Sequence, residues 1–144
     1  MRYSSEMNDT AIAPALIIGD GDYERLFGIA MGAKQSQPGL AGQLLDEIER
    51  ADLRPLVEVP LDVVAIGSDV TFYENDSEQA RTVRLVLPWN ADLEQGWVSV
   101  LTPLGAGLLG LSIGQSINWD MGGRIRRLTI IGVNQRYGSQ RDAR

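Results

Sequence analysis

The sequence predicts an α+β protein, with a short N-terminal antiparallel helical hairpin followed by an antiparallel β-sheet that carries one inserted helix. Three observations predict it. Apolar residues recur at helical spacing between residues 20 and 48 and at alternating spacing from residue 70 onward. Between two alternating stretches lies a block rich in glycine and leucine, TPLGAGLLG (102–110).

The elements follow in order. Residues 1–14 are polar and aperiodic and end at Pro14, which reads as a flexible tail. ALII (15–18) reads as a short strand. Asp20 then reads as an N-cap, with Asp22 and Glu24 in the first turn, where the helix dipole favours negative charge. Tyr23, Leu26, Phe27, Ala30 and Met31 fall on one helical face, and Gly32 is a plausible stop. GAKQSQPG is a loop, and Pro38 suits the first turn of a second helix. Its stripe of Ala41, Leu44, Leu45 and Ile48 stands opposite Asp46, Glu47 and Arg50. The hairpin occupies residues 15–54. Each helix has about 13 residues and so reaches about 20 Å.

The sheet domain is expected over residues 55–137, entered through the linker ADLRPLVEVP (51–60). Val70 and Phe72, then Val83, Leu85 and Leu87, alternate with polar residues across the turn cluster NDSE, which makes a hairpin. Pro88 closes the second strand and WNADLEQG is loop. Trp97–Leu101, Gln115–Met121 and Arg124–Val133 supply three more strands, the last two joined by Gly122-Gly123, whose glycines accept the positive φ of a tight turn. Residues 138–144 form a basic tail.

The chain has no Cys and no His. Disulfides, thiolate nucleophiles, thiolate zinc sites, imidazole bases and histidine metal ligands are therefore absent, and Ser-His-Asp hydrolases and zinc fingers are excluded. No catalytic residue, cofactor or metal ligand is assigned. No apolar run approaches the roughly 20 residues that span a bilayer, and MRYSSEMNDT lacks the basic start and apolar block of a signal peptide, so a cytoplasmic protein without membrane contact is expected. The formal charge is −6 but uneven: from Arg124 onward six arginines face one acid, giving +5, and the rest of the chain carries −11. That balance argues against general nucleic-acid binding, and the basic end reads as a solvated edge or a contact for an acidic partner.

TPLGAGLLG has the glycines of a phosphate cradle but no neighbouring Lys. The better reading is a helix of about 8 residues, with Thr102 as N-cap, Pro103 at the first helical position, Leu104, Leu108 and Leu109 buried, and Gly110 as the stop, lying across the sheet and plugging its core.

At these residues the sequence resembles a known family. VSVLTPLGAGLLGLSIGQSI is similar to the "IS-x-x-SPIG-x-AL-x-GK-x-x-GD-x-V" stretch of the FKBP-like C-terminal domain of the transcript cleavage factors GreA and GreB. It is closer to the small bacterial branch of that family, the regulators of nucleoside diphosphate kinase (Rnk), in which the domain follows a shortened helical hairpin. The likeness extends to LIIGDGDYERL (16–26), PLDVVAIGSDVTF (60–72) and the Trp119–Val133 hairpin. Ala106 and Leu111 stand where Gre-like sequences often place basic residues, and Gln115 where they often place Asp.

The resemblance implies a non-enzymatic transcription regulator that binds RNA polymerase near the secondary channel and competes there with Gre-type factors, touching DNA only through the polymerase. Gre factors reach a catalytic magnesium with an acidic tip on a long hairpin. Here the tip, Gly32 to Gly39, holds Lys34 and no carboxylate, so transcript cleavage is not expected. By the same resemblance, Thr102, Pro103, Leu104 and Gly105 are the expected partner contacts, with helix capping and core packing as the alternative role for the same residues. The alternative function is a protein-binding regulator acting on nucleoside diphosphate kinase, directly or through transcription. The FKBP-like fold also raises proline isomerisation, for which Phe72, Tyr73, Trp89, Trp97 and Trp119 would have to line one pocket rather than serve as core and cross-strand pairs.

Overall fold

The computed structural model describes residues 15–74, 77, 79–121 and 123–135, with the backbone alone at 119–121. Both expected tails, most of the NDSE turn, Gly122 and the Trp119 side chain lie outside the described residues.

Chain direction changes where the backbone demands it. Ile17–Gly19 forms strand β1, and helix α1 follows at once over Asp20–Gly32. Gly19 is the N-cap, not Asp20, because its pairing with Arg54 keeps it extended (φ −68°, ψ 142°); Asp20 becomes the first helical residue. Helix α2 spans Pro38–Glu49 with its proline in the first turn, where a missing N–H costs nothing. Leu26 and Ala30 of α1 and Ala41, Leu44 and Ile48 of α2 are buried in one cluster, and Leu45 is half-buried. Phe27 and Met31, read as part of the buried stripe, are instead exposed, because α1 is covered along its Leu26–Ala30 side only.

Asp52–Arg54, read as linker, is strand β2, and it pairs with β1 in parallel. The helical pair thus forms the crossover between two short parallel strands. The pair is joined to the rest of the fold by Ile17 N–H, which donates to the Gly110 carbonyl at 3.1 Å.

The second sheet has the order β5-β4-β3-β7-β6, with β3 over Asp69–Glu74, β4 over Ala80–Val86, β5 over Trp97–Ser99, β6 over Ser116–Met121 and β7 over Arg124–Asn134. Val70, Phe72, Val83, Leu85, Leu128 and Ile130 point to one face and are buried. Helix α3, Pro103–Leu108, lies on that same face, adding Leu104 and Leu108 to a cluster shared with α1 and α2. The opposite face carries polar cross-strand pairs, among them Thr71 with Thr82 and Ser116 with Thr129, each joined at 2.8 Å.

The expected antiparallel sheet is therefore corrected to a mixed one, because β5 pairs with β4 in parallel. The chain leaves β4 at Val86, runs through single 3-10 turns at Pro88–Asn90 and Leu93–Gln95, and re-enters beside the C-terminal half of its neighbour, where Arg84 N–H donates to the Gly96 carbonyl. Strand β5 also stops at Ser99, two residues before the expected end, because the Ser99 carbonyl is captured by the next turn. Among the described residues no helix is long and apolar enough to cross a membrane.

The glycines separate into two kinds. Gly110 has φ +80°, and a Cβ there would meet the Leu16 side chain at 3.1 Å and the Ile17 carbonyl at 3.2 Å. Gly28, inside α1, has nothing within 4 Å of the same position. Gly110→Ala is expected to cost about 1–3 kcal/mol or more in urea unfolding, and Gly28→Ala to stabilise by about 0.5–1 kcal/mol. Equal effects from the two would contradict this packing.

Candidate docking surface

The segment Ser99–Gly110 is built around one carbonyl. Ser99 C=O accepts from both Thr102 N–H (3.1 Å) and Thr102 Oγ1 (2.7 Å), and Thr102 Oγ1 in turn accepts from Gly105 N–H at 3.0 Å, which caps α3. Pro103 opens the helix. A Cβ at Gly105 would overlap the Ser99 carbonyl, and one at Gly107 would meet Ile117 Cδ1 at 3.0 Å. Gly110 supplies the left-handed residue after the helix. Each glycine that resembles a phosphate cradle thus has a packing duty. The helix is six residues long rather than about 8, because Leu109 already leaves helical geometry.

Of the four residues singled out in this segment, Pro103 is exposed, Thr102 is half-buried, and Leu104 and Gly105 are buried. The Pro103 carbonyl accepts from Gln43 Nε2 of α2 at 3.3 Å, so the exposed end of α3 is braced against the helical pair.

Beside this corner lies a shallow groove of about 520 Å³. Its walls are Arg25, Gly28, Ile29 and Gly32 of α1 on one side and Pro88, Trp89 and Leu101 on the other. Trp89 is 69% exposed, an unusual state for so large an aromatic. Sequence reading placed it in a loop and missed the groove; the proline before it, ending a strand and fixing the next turn, is the signal that was there to use. Arg25 is oriented by Asp22, whose carboxylate accepts from its guanidinium at 2.9 Å while lying almost wholly buried.

The four aromatics with described side chains, Phe72, Tyr73, Trp89 and Trp97, do not converge, and the Trp119 side chain lies outside the described residues. Phe72 is in the core, and Tyr73, next along β3, points to the other face. The Trp97 ring lies under the Arg84 guanidinium, 5.0 Å from centroid to Cζ, and Arg84 is also paired with Asp69 at 2.8 Å. Of the described arginines at the basic end, Arg124 and Arg127 are exposed, whereas Arg126 Nη1 donates to Glu74 at 2.8 Å, Arg81 approaches the same carboxylate at 3.7 Å, and Arg126 Nε is buried without a hydrogen bond. At the tip, Lys34 is exposed and is the single charged residue between Ala33 and Gly39.

The architecture is thus a sheet domain plugged by a short helix and preceded by a short helical pair, with an exposed corner and a groove beside it. Comparison with known proteins makes the class specific. Residues 59–135 match the profile "Transcription elongation factor, GreA/GreB, C-term", and residues 14–53 match "Rnk N-terminus". The chain is 34% identical over 112 residues to the "Regulator of nucleoside diphosphate kinase" of Escherichia coli K12, covering 78% of this chain and 82% of that one. It is 28% identical over 123 residues to the "Transcription elongation factor GreA" of Sinorhizobium medicae, covering 85% and 78%. A solved structure, "Prokaryotic transcription elongation factor GreA/GreB from Nitrosomonas europaea", superposes with a TM-score of 0.69 at 34% identity, over 84% of this chain and 98% of that one. The chain belongs to the GreA/GreB transcription elongation factor family, with the Rnk-type N-terminus.

Two measurements check this geometry. Thr102→Ala is expected to lower stability by about 1 kcal/mol through loss of the cap. Burial pushes the Asp22 carboxyl above its ordinary 3.8, with Arg25 opposing. A folded-state pKa above the unfolded one means that the native chain binds the proton more tightly. The Asp22 contribution to stability is therefore fully present below pH 3.8 and is lost as pH rises through the raised value. In thermal melts from acid to neutral pH, Asp22→Asn should gain on the parent as pH increases; a constant offset would show that the carboxyl is not perturbed.

Proposed function

We propose that the chain is a non-enzymatic regulator that docks on RNA polymerase near the secondary channel and competes there with Gre-type factors without stimulating transcript cleavage. The observation that carries this reading is the finger. Family membership supplies the polymerase as partner, while helices of 13 and 12 residues reach only about 20 Å, and their tip offers Lys34 where a magnesium ion needs carboxylate oxygens. Competition requires only a shared docking surface, since one occupant excludes another whatever its chemistry. The FKBP-like character of the sheet domain and an antiparallel arrangement of the two helices belong to the same reading. So do contacts through Thr102, Pro103, Leu104 and Gly105, of which Pro103 offers the exposed surface and Leu104 and Gly105 hold it in place.

The relatives are named as regulators and elongation factors rather than as catalysts, which supports the non-enzymatic reading. The name of the Escherichia coli relative favours a second one, in which the chain acts on nucleoside diphosphate kinase, directly or by way of transcription. Parallel pull-downs with polymerase and with the kinase distinguish the two.

In stalled elongation complexes the protein is expected to release no short 3′ RNA and to suppress cleavage stimulated by GreA in a dose-dependent way. Stimulated cleavage, or failure to displace GreA at saturating concentration, would sink the proposal. Pro103→Asp should weaken polymerase binding at least about tenfold, equivalent to about 1.4 kcal/mol, with the melting temperature unchanged.

A further inference from the structure

The two edges of the mixed sheet are treated differently. On β5, Trp97 is already engaged on its outer side: Asp92 N–H donates to the Trp97 carbonyl at 3.0 Å and Trp97 N–H to the Asp92 carbonyl at 2.9 Å. That closes a strand of only three residues. The other edge, β6, has six residues, SINWDM, with no Pro, no Lys and no register shift against β7. Proline, lysine and bulges commonly blunt an exposed edge, and the strand's one charged residue, Asp120, is the single such device in it. Among the described residues no strand pairs with its outer side.

The hydrogen-bond phase tells which backbone groups face outward. Ile130 N–H donates to the Gln115 carbonyl at 3.0 Å. In an antiparallel ladder hydrogen-bonded pairs alternate, so with the printed register Ile117, Trp119 and Met121 bond to β7, while Ser116, Asn118 and Asp120 turn their N–H and C=O groups to the open edge.

We infer that β6 is a self-association edge, at which a second copy of this chain pairs β6 against β6 in antiparallel register centred on Asn118. The sequence is suited to this operation. A two-fold axis normal to the sheet keeps equivalent faces together, so opposed residues must differ by an even number. Centring on Asn118 meets that condition and sets Ser116 opposite Asp120, Ile117 opposite Trp119 and Asn118 opposite itself. All the outward-facing backbone groups then fall in register, giving about six hydrogen bonds. The interface is isologous and closes at two copies, since each chain has one such edge to offer. The result is a continuous ten-stranded sheet of two copies. Asn118 is exposed in the single chain, as this pairing requires.

Sedimentation equilibrium of the full chain tests it. The parent should pass from monomer to dimer between about 1 µM and about 1 mM. Asn118→Pro removes a donor that faces the open edge and leaves the β7 ladder intact, so it should raise the dimer dissociation constant at least about tenfold without lowering the melting temperature. Asn118→Lys keeps the backbone and sets two like charges against each other at the axis; it should weaken the dimer comparably at low salt and less at high salt. Should the proline variant not fold, the lysine variant decides. A parent that stays monomeric throughout, or dimers as tight in either folded variant as in the parent, would overturn the inference.

Discussion

The Ser99 carbonyl organises the sheet domain. By accepting both the amide and the hydroxyl of Thr102 it ends β5 and turns the chain, the same hydroxyl caps α3 by accepting from Gly105 N–H, and the helix then runs so close behind the carbonyl that only a residue without a Cβ fits at Gly105. Everything on the inner face depends on that placement. Leu104 and Leu108 reach the cluster beneath the sheet because the helix cannot slide, and Ile117 of β6 rests on Gly107. The same turn leaves Pro103 at the surface, so the exposed corner is a by-product of sealing the core.

A second constraint couples the finger to the domain. The Gly110 carbonyl accepts from Ile17 N–H of β1, and Gly110 N–H donates to Val64, whose own N–H donates to Leu111. Asp52 N–H donates to the Leu16 carbonyl, which seats β2 alongside. The bonds among Gly110, Val64 and Leu111 run in the interior, where an unmade one is costly. The helical pair is thus seated by its parallel strands and by Gln43, and not carried on a free linker. Charge is partly neutralised within the sheet: Arg84 is held between Asp69 and Trp97, and Arg126 on Glu74.

The sequence by itself determined the two helices, the alternating strands, the capped and glycine-stopped insert and the absence of carboxylates at the tip, because each rests on contacts within a few residues: a period, a hydroxyl three positions from an amide, a glycine with positive φ. The family was legible for the same reason, through collinear motifs around TPLGAGLLG and LIIGDGDYERL. Only the tertiary structure decided that β1 and β2 pair, that β5 joins β4 in parallel, that Phe27 and Met31 stay in solvent, and that Trp89 and α1 enclose a groove. Those outcomes depend on which distant surfaces meet, and parallel pairing above all joins strands whose connection can take many paths, so no local pattern records it.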